Sequence, residues 1–296
     1  MPLKVVALFL LMTVTMATAQ APSVAGSPML LCSGLPCVDA TLANGHHVKL
    51  LLDTGDEQSV MDLAAAKKLG LTPMPIRDRF GKPTPYQRAV LTGVKLGDAS
   101  LGNVTVLVED LSPYFTNDTM PYVDGSLAYT AFKDRLLKLD YPHHKVLFSE
   151  PLTSTFPCPG DCGQISLPTF GQKGPSIVVA TGFSVNGQPI TAQVDSLFAG
   201  TMLIYPHAVK RLNLEEEAKT ANKEFFRYTD GGVDMLKGAA DTESFGTQVL
   251  ANGAPLYFAT PKVHLPDGMF DGTIGHALLE HSVVNFDFHN MRIWLN

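Results

Sequence analysis

Val48-Lys49-Leu50-Leu51-Leu52-Asp53-Thr54-Gly55 carries an apolar run into an acidic residue and turns on Thr-Gly, with Asp56-Glu57-Gln58-Ser59 directly after it. A run of this kind, bounded by turn residues, reads as a buried strand that presents the Asp53 carboxylate at its tip. A related stretch, Ala192-Gln193-Val194-Asp195-Ser196, stands in the second half of the chain. The two belong to a longer pattern. Asn44-Gly45 matches Asn186-Gly187, Asp53-Thr54 matches Asp195-Ser196, and Lys67-Lys68-Leu69-Gly70-Leu71 matches Lys210-Arg211-Leu212-Asn213-Leu214. Asp124-Gly125 then matches Asp271-Gly272, and Leu139-Asp140-Tyr141 matches Phe286-Asp287-Phe288. These blocks keep their order while the offset drifts only from 142 to 147 residues, so the chain reads as an internal duplication.

Within the first copy, Val38 to Leu42, the Asn44-Gly45 turn and His47 to Leu52 predict a hairpin. Asp62 to Leu69 predicts a short helix with Asp62 as N-cap and Gly70 as the stop. The Pro-rich passage Thr72 to Pro85 reads as a loop or a hairpin over a cleft, with Tyr86 beside it. Val90 to Leu96 and Val104 to Val108 read as strands, and Leu139 to Phe148 as a closing hairpin. The passage from Pro151 to Gly163, rich in Pro, Gly and Cys, is the natural linker.

The N-terminus has one charge at Lys4, an apolar run from Val5 to Met16 and the small triplet Ala17-Thr18-Ala19, which predicts a signal peptide over residues 1–19 and an exported protein, periplasmic or secreted. The expected organisation is then a first lobe over 20–150, a linker over 151–163 and a second lobe over 164–296. With 45% hydrophobic and 17% charged residues the chain can bury a sizeable core. A formal net charge of −6 without a basic stripe excludes nucleic acid as partner. Cys32, Cys37, Cys158 and Cys162 lack the two-residue spacing of structural zinc and in an exported chain read as disulfides. Local pairing is simplest, and a cross-link between the two segments stays open. The pairs His46-His47 and His143-His144 point to opposite faces of any strand, so no metal is expected. No Gly-x-Ser-x-Gly elbow occurs, which disfavours a serine hydrolase.

Two copies related by an approximate two-fold axis bring Asp53 and Asp195 face to face. Adjacent carboxylates cannot both ionise readily, so one keeps a proton while the other can accept one from a water. Thr54 and Ser196 can then hold the turns by bonding across the axis, and Gly55 allows a tight turn and a close approach. Asp124, Asp271, Asp140 and Asp287 recur as turn and hairpin residues with structural roles.

The chain resembles the retropepsin-like and pepsin-like aspartic proteases, in particular exported bacterial members with two retropepsin-type lobes in one polypeptide. The resemblance rests on the strand into Asp53-Thr54-Gly55, on Ala192 to Ser196, and on Asp271-Gly272-Thr273-Ile274-Gly275 with its weaker counterpart Asp124-Gly125-Ser126-Leu127-Ala128. It implies a mainly β, bilobal fold and an aspartic endopeptidase without cofactor, monomeric, acting on peptide or protein substrates at acidic pH. Three positions depart from the family: Leu197 and Ala128 stand where it has Gly, and Asp56 adds a carboxylate beside the first motif. A side chain at Leu197 is strained if the turn there needs positive φ. The alternative is a catalytically impaired, protease-like module that binds an extended peptide without cutting it.

Overall fold

Each half of the chain is built around the strand that ends in its aspartate. In the computed structural model, which describes residues 22–77, 80–112, 123–169, 175–226, 233–260 and 269–296, strand Leu35–Thr41 pairs antiparallel with His47–Asp53. The predicted signal peptide lies outside the described residues. The second half repeats the hairpin with Val179–Val185 and Gln188–Val194. There Asn186 and Gly187 both take positive φ, as a two-residue hairpin turn requires.

The aspartate strand next receives a parallel neighbour from far along the chain. Gly125–Ala128 lies beside His47–Asp53, with Leu52 opposite Leu127 and Asp53 opposite Ala128, and on its other side pairs antiparallel with Ser59–Asp62. In the second half Gly272–Ile274 lies between Gln188–Val194 and Met202–Ile204 in the same way. This crowded crossing explains the Asp-Gly motif. A Cβ at Gly125 would come within 2.0 Å of the Val60 carbonyl oxygen, and one at Gly272 within 2.0 Å of the Leu203 oxygen. The aspartates before them tie the motif down: Asp124 Oδ2 accepts from the Lys49 N–H and Asp271 Oδ2 from the Thr191 N–H, each at 2.8 Å. Both are therefore structural, as the sequence indicates.

The short helix after the first motif, Leu63–Lys68, starts at Asp62, whose side chain accepts from the N–H groups of Ala64 and Ala65. In the Pro-rich passage, Met74–Arg77 folds back on the start of the long strand Pro83–Leu96, making a hairpin over the first lobe. The strand predicted from Val90 thus begins seven residues earlier, at Pro83.

The closing hairpins of the two halves merge into one sheet. Six strands run in the order Val24–Pro28, Lys145–Ser149, Leu136–Asp140, Val283–Asp287, Arg292–Leu295, Gly163–Ser166, and the last pairs onward with Val179–Val185 of the second lobe. At its centre Leu137 pairs with Phe286, Lys138 with Asn285 and Leu139 with Val284. Under the repeat, Lys138 and Asn285 are equivalent and the flanking pairs exchange, so the two-fold axis passes through this register. Leu137, Leu139, Val284, Phe286 and Ile293, all buried, are part of a core shared by both lobes. The disulfides are local, Cys32 to Cys37 and Cys158 to Cys162. No helix among the described residues is long and apolar enough to cross a membrane.

Candidate active site

The axis that runs through the shared sheet also runs between the two Asp turns. Thr54 and Ser196 interlock across it. The Thr54 N–H donates to Ser196 Oγ at 2.9 Å, and the Ser196 N–H donates to Thr54 Oγ1 at 3.1 Å. Each hydroxyl then donates onward to the opposite strand, Thr54 Oγ1 to the Val194 carbonyl at 2.9 Å and Ser196 Oγ to the Leu52 carbonyl at 2.6 Å. Both residues are buried, so every one of these groups depends on the partner lobe for its hydrogen bonds.

Thr54→Val keeps the shape but leaves the buried Ser196 N–H and the Val194 carbonyl without partners. The expected loss of unfolding free energy is ~3 kcal/mol, read by urea denaturation at neutral pH. A loss below about 0.5 kcal/mol, the scatter expected of ordinary surface substitutions, contradicts the interlock.

Within each turn the carboxylate is held by backbone donors. Asp53 Oδ1 accepts from the Gly55 N–H at 3.0 Å and the Asp56 N–H at 3.1 Å, while Asp195 Oδ1 accepts from the Leu197 N–H at 2.8 Å. The Asp195 carboxyl packs directly against the first turn, since a Cβ on Gly55 would lie 2.6 Å from its Cγ. Gly55 is thus required by the approach of the opposite aspartate and not by its own φ, which is not left-handed. The same holds for Leu197: its φ is not positive, so the second turn keeps its form with a side chain present. Gln193 Nε2 adds another cross-axis bond, to the Gly55 carbonyl at 3.0 Å.

The two aspartates are half-buried, and Asp53 lies in the wall of a cavity. Burial pushes the Asp53 carboxyl well above the usual range, and the negative charges of Asp195 and Asp56 push it further. Asp195 is pushed up to about 6, again chiefly by burial, with the Leu197 and Phe198 N–H groups opposing and Asp56 adding to the rise. Asp56, itself raised by burial, is therefore a third carboxyl acting on both. Both carboxyls have backbone donors, so in a singly protonated pair it is the charges of Asp195 and Asp56 together that place the proton on Asp53 and leave the negative charge on Asp195.

Beside the turns a cavity of about 580 Å³ opens in the first lobe, with Asp53, Asp56, Val60, Tyr86, Glu109 and Leu197 in its wall. Tyr86, on the overhanging hairpin, is 53% exposed. Glu57, which drew no attention in the sequence, ties the lobes together: its Oε2 accepts from the Ser176 N–H at 2.6 Å, and the Tyr129 hydroxyl pairs with the Ser176 hydroxyl. Neither pairing has a local sequence signal, because the partners are over forty residues apart. Among the described residues no group of three or more His, Cys, Asp and Glu side chains is placed to hold a metal ion.

A bilobal β fold that sets one Asp-Thr/Ser turn from each lobe on a common two-fold axis defines an aspartic-protease-like protein. Residues 38–129, the part of the first lobe from its hairpin to the residue after the crossing strand, match the family model described as aspartyl protease. No curated protein matches the sequence. Among solved structures, the one titled edgp is similar at 10% identity and a TM-score of 0.49, over 93% of this chain and 94% of that one. Basic 7S globulin from soybean is similar at 12% identity and a TM-score of 0.47, over 93% of this chain and 95% of that one. Likeness at these levels carries nothing about the chemistry of the site.

Proposed function

We propose that the chain is an exported aspartic endopeptidase in which Asp53 and Asp195 activate a water between them. The observation that carries this reading is the pair of carboxyls locked on one axis by the Thr54 and Ser196 interlock, both with raised pKa, beside a cavity of about 580 Å³. Ionised Asp195 takes a proton from the water as its oxygen bonds to the peptide carbonyl carbon, while protonated Asp53 donates to the carbonyl oxygen. The tetrahedral diol collapses as Asp195 passes its proton to the leaving nitrogen and Asp53 takes one back from a diol hydroxyl; the C–N bond breaks, an acid and an amine are released, and the pair returns to its starting state. Thr54, Gly55 and Ser196 support the pair and do not react. Two local disulfides suit an oxidising compartment and so the expected export.

The active form needs Asp195 ionised and Asp53 protonated. With Asp195 at about 6, kcat/KM should rise with pH through a limb near 6 and fall again as Asp53 ionises above it, which places the working range at the mild end of the acidic pH that the family resemblance implies. Asp56→Asn removes a negative charge that raises both groups, so both limbs should shift to lower pH. A pH–rate profile checks this, and unchanged limbs contradict it.

Leu197 favours a second reading, a binding module, because it places a side chain in the cavity wall where the first turn has glycine. If Leu197→Gly creates peptidase activity in a chain that otherwise has none, the binding reading holds.

A further inference from the structure

The repeat makes the two sides of the cleft comparable position by position. Val60 lies opposite Ser126 and Leu107 in the first lobe, and Leu203 lies opposite Thr273 and Tyr257 in the second. Leu107 therefore corresponds to Tyr257 and, two residues on, Glu109 to Ala259. Gln87 pairs with Val108 and Leu236 with Phe258, which sets Tyr86 against Met235. Asp56 corresponds to Phe198, and Val123 to Phe270, by the offsets of the flanking motifs.

In the first lobe these six positions line the cavity of about 580 Å³. In the second lobe all six fall in a single packed cluster, with Phe198 4%, Leu203 4%, Met235 0%, Tyr257 6%, Ala259 6% and Phe270 3% exposed. The Phe198 and Tyr257 rings meet edge to face at 6.2 Å, and the Phe198 ring seals over Gly200, where a Cβ would lie 2.5 Å from Cζ. Tyr86 stands 53% exposed over the first cavity, while its counterpart Met235 is fully buried. One lobe has kept a hole where the other has filled the equivalent hole with its own aromatic side chains.

We propose that the cleft reads one large side chain, in the first-lobe cavity, and admits only a small residue on the other side of the bond between the aspartates. This rests on the endopeptidase reading for where the peptide lies. In an extended peptide, neighbouring side chains point to opposite faces. When one enters the first-lobe cavity, the next is directed at the second-lobe cluster, which among the described residues is packed closed. The substrate class is thus a peptide with a bulky residue next to Gly, Ala or Ser.

Four hydroxyethylene dipeptide isosteres, carrying benzyl or methyl on each side of the central hydroxyl, test this by calorimetry on the mature protein. One of the two mixed compounds should bind best, with the benzyl/benzyl compound at least tenfold weaker. Val123→Phe, which gives the first lobe the residue the second has, should remove the benzyl preference. If that variant does not fold, Glu109→Trp at a partly exposed point of the same wall replaces it. A benzyl/benzyl compound that binds as well as the best mixed one overturns the inference, as does failure of all four to bind. Peptide cleavage is scored separately: the expected binding order without hydrolysis of any peptide keeps this inference and removes the endopeptidase reading.

Discussion

Asp53→Asn should lower kcat by at least about a thousandfold, with KM little changed. The substituted amide cannot pass a proton to the carbonyl oxygen, yet it keeps the size of the carboxyl and can still accept from the Gly55 and Asp56 N–H groups that position it. Folding is therefore expected to survive, and stability to rise slightly, because a carboxyl disfavoured by burial and by two like charges becomes neutral. Asp195→Asn should be as damaging, since it removes the group that accepts the proton from water. The two changes act on one unit, so the double variant should be no worse than either single one. Steady-state kinetics with thermal melts as a folding control decide the matter. Cleavage by Asp53→Asn at the parent rate contradicts the mechanism.

The second large effect is on stability and lies away from the cleft. Glu243 is fully buried on strand Thr242–Phe245, between Val185 and Ala251 of neighbouring strands, and neither carboxyl oxygen has a hydrogen-bond partner among the described residues. Burial pushes its pKa from 4.5 up to about 8. The folded state thus holds the proton over a range in which the unfolded chain has lost it. Stability contributed by this group is fully present below about pH 4.5 and is lost as pH rises to about 8, by ~4 kcal/mol in all. The sign is the opposite of that for a salt-bridged carboxylate, whose loss comes on acidification. Glu243→Gln removes the ionisation, so the variant should match the parent near pH 4 and exceed it increasingly towards pH 8. Urea denaturation across that range measures the difference, in which the similar contribution of the dyad cancels. Parallel curves for the two proteins contradict the assignment.

What could be read in the sequence follows from the range over which each interaction acts. The Asp-tipped strands, the Asn-Gly hairpins and the Asp62 cap are set by residues close to one another, and their patterns are visible in a short window. The repeat made the cross-axis bonds of Thr54 and Ser196 legible as well, because symmetry supplies a partner that no local pattern names. The sheet shared by the two lobes was not legible. Leu136–Asp140 and Val283–Asp287 are short apolar strands that fit the edge of a lobe as readily as the centre of a shared sheet, and only their distant register distinguishes the two. The strand from Pro83 was hidden by Pro83 and Pro85, which read as loop but are tolerated where a strand's N–H groups are not needed for pairing. Nothing in the sequence around Glu243 marks it as buried, yet strand Thr242–Phe245 turns Glu243 and Phe245 inward. The backbone strain expected at Leu197 does not arise, because φ there is not positive.

Asp56 and Phe198 show how a duplicated chain can diverge without losing its axis. Each follows its motif aspartate by three residues. The first adds charge at an open cavity, and the second closes the opposite side with an aromatic ring. The dyad supports both lobes equally through the interlock, while the surroundings of the two carboxyls are made unequal in charge and in space.

The central claim is that Asp53 and Asp195 together hydrolyse peptide bonds. The most direct measurement is digestion of a mixed peptide library by the purified mature protein from pH 4 to pH 8, read by mass spectrometry of the new termini, beside the Asp53→Asn variant. New termini made by the parent chain, most abundant on the rise through about pH 6 and missing with the variant, are the expected result. A library left intact at every pH, or cut equally by both proteins, contradicts the claim.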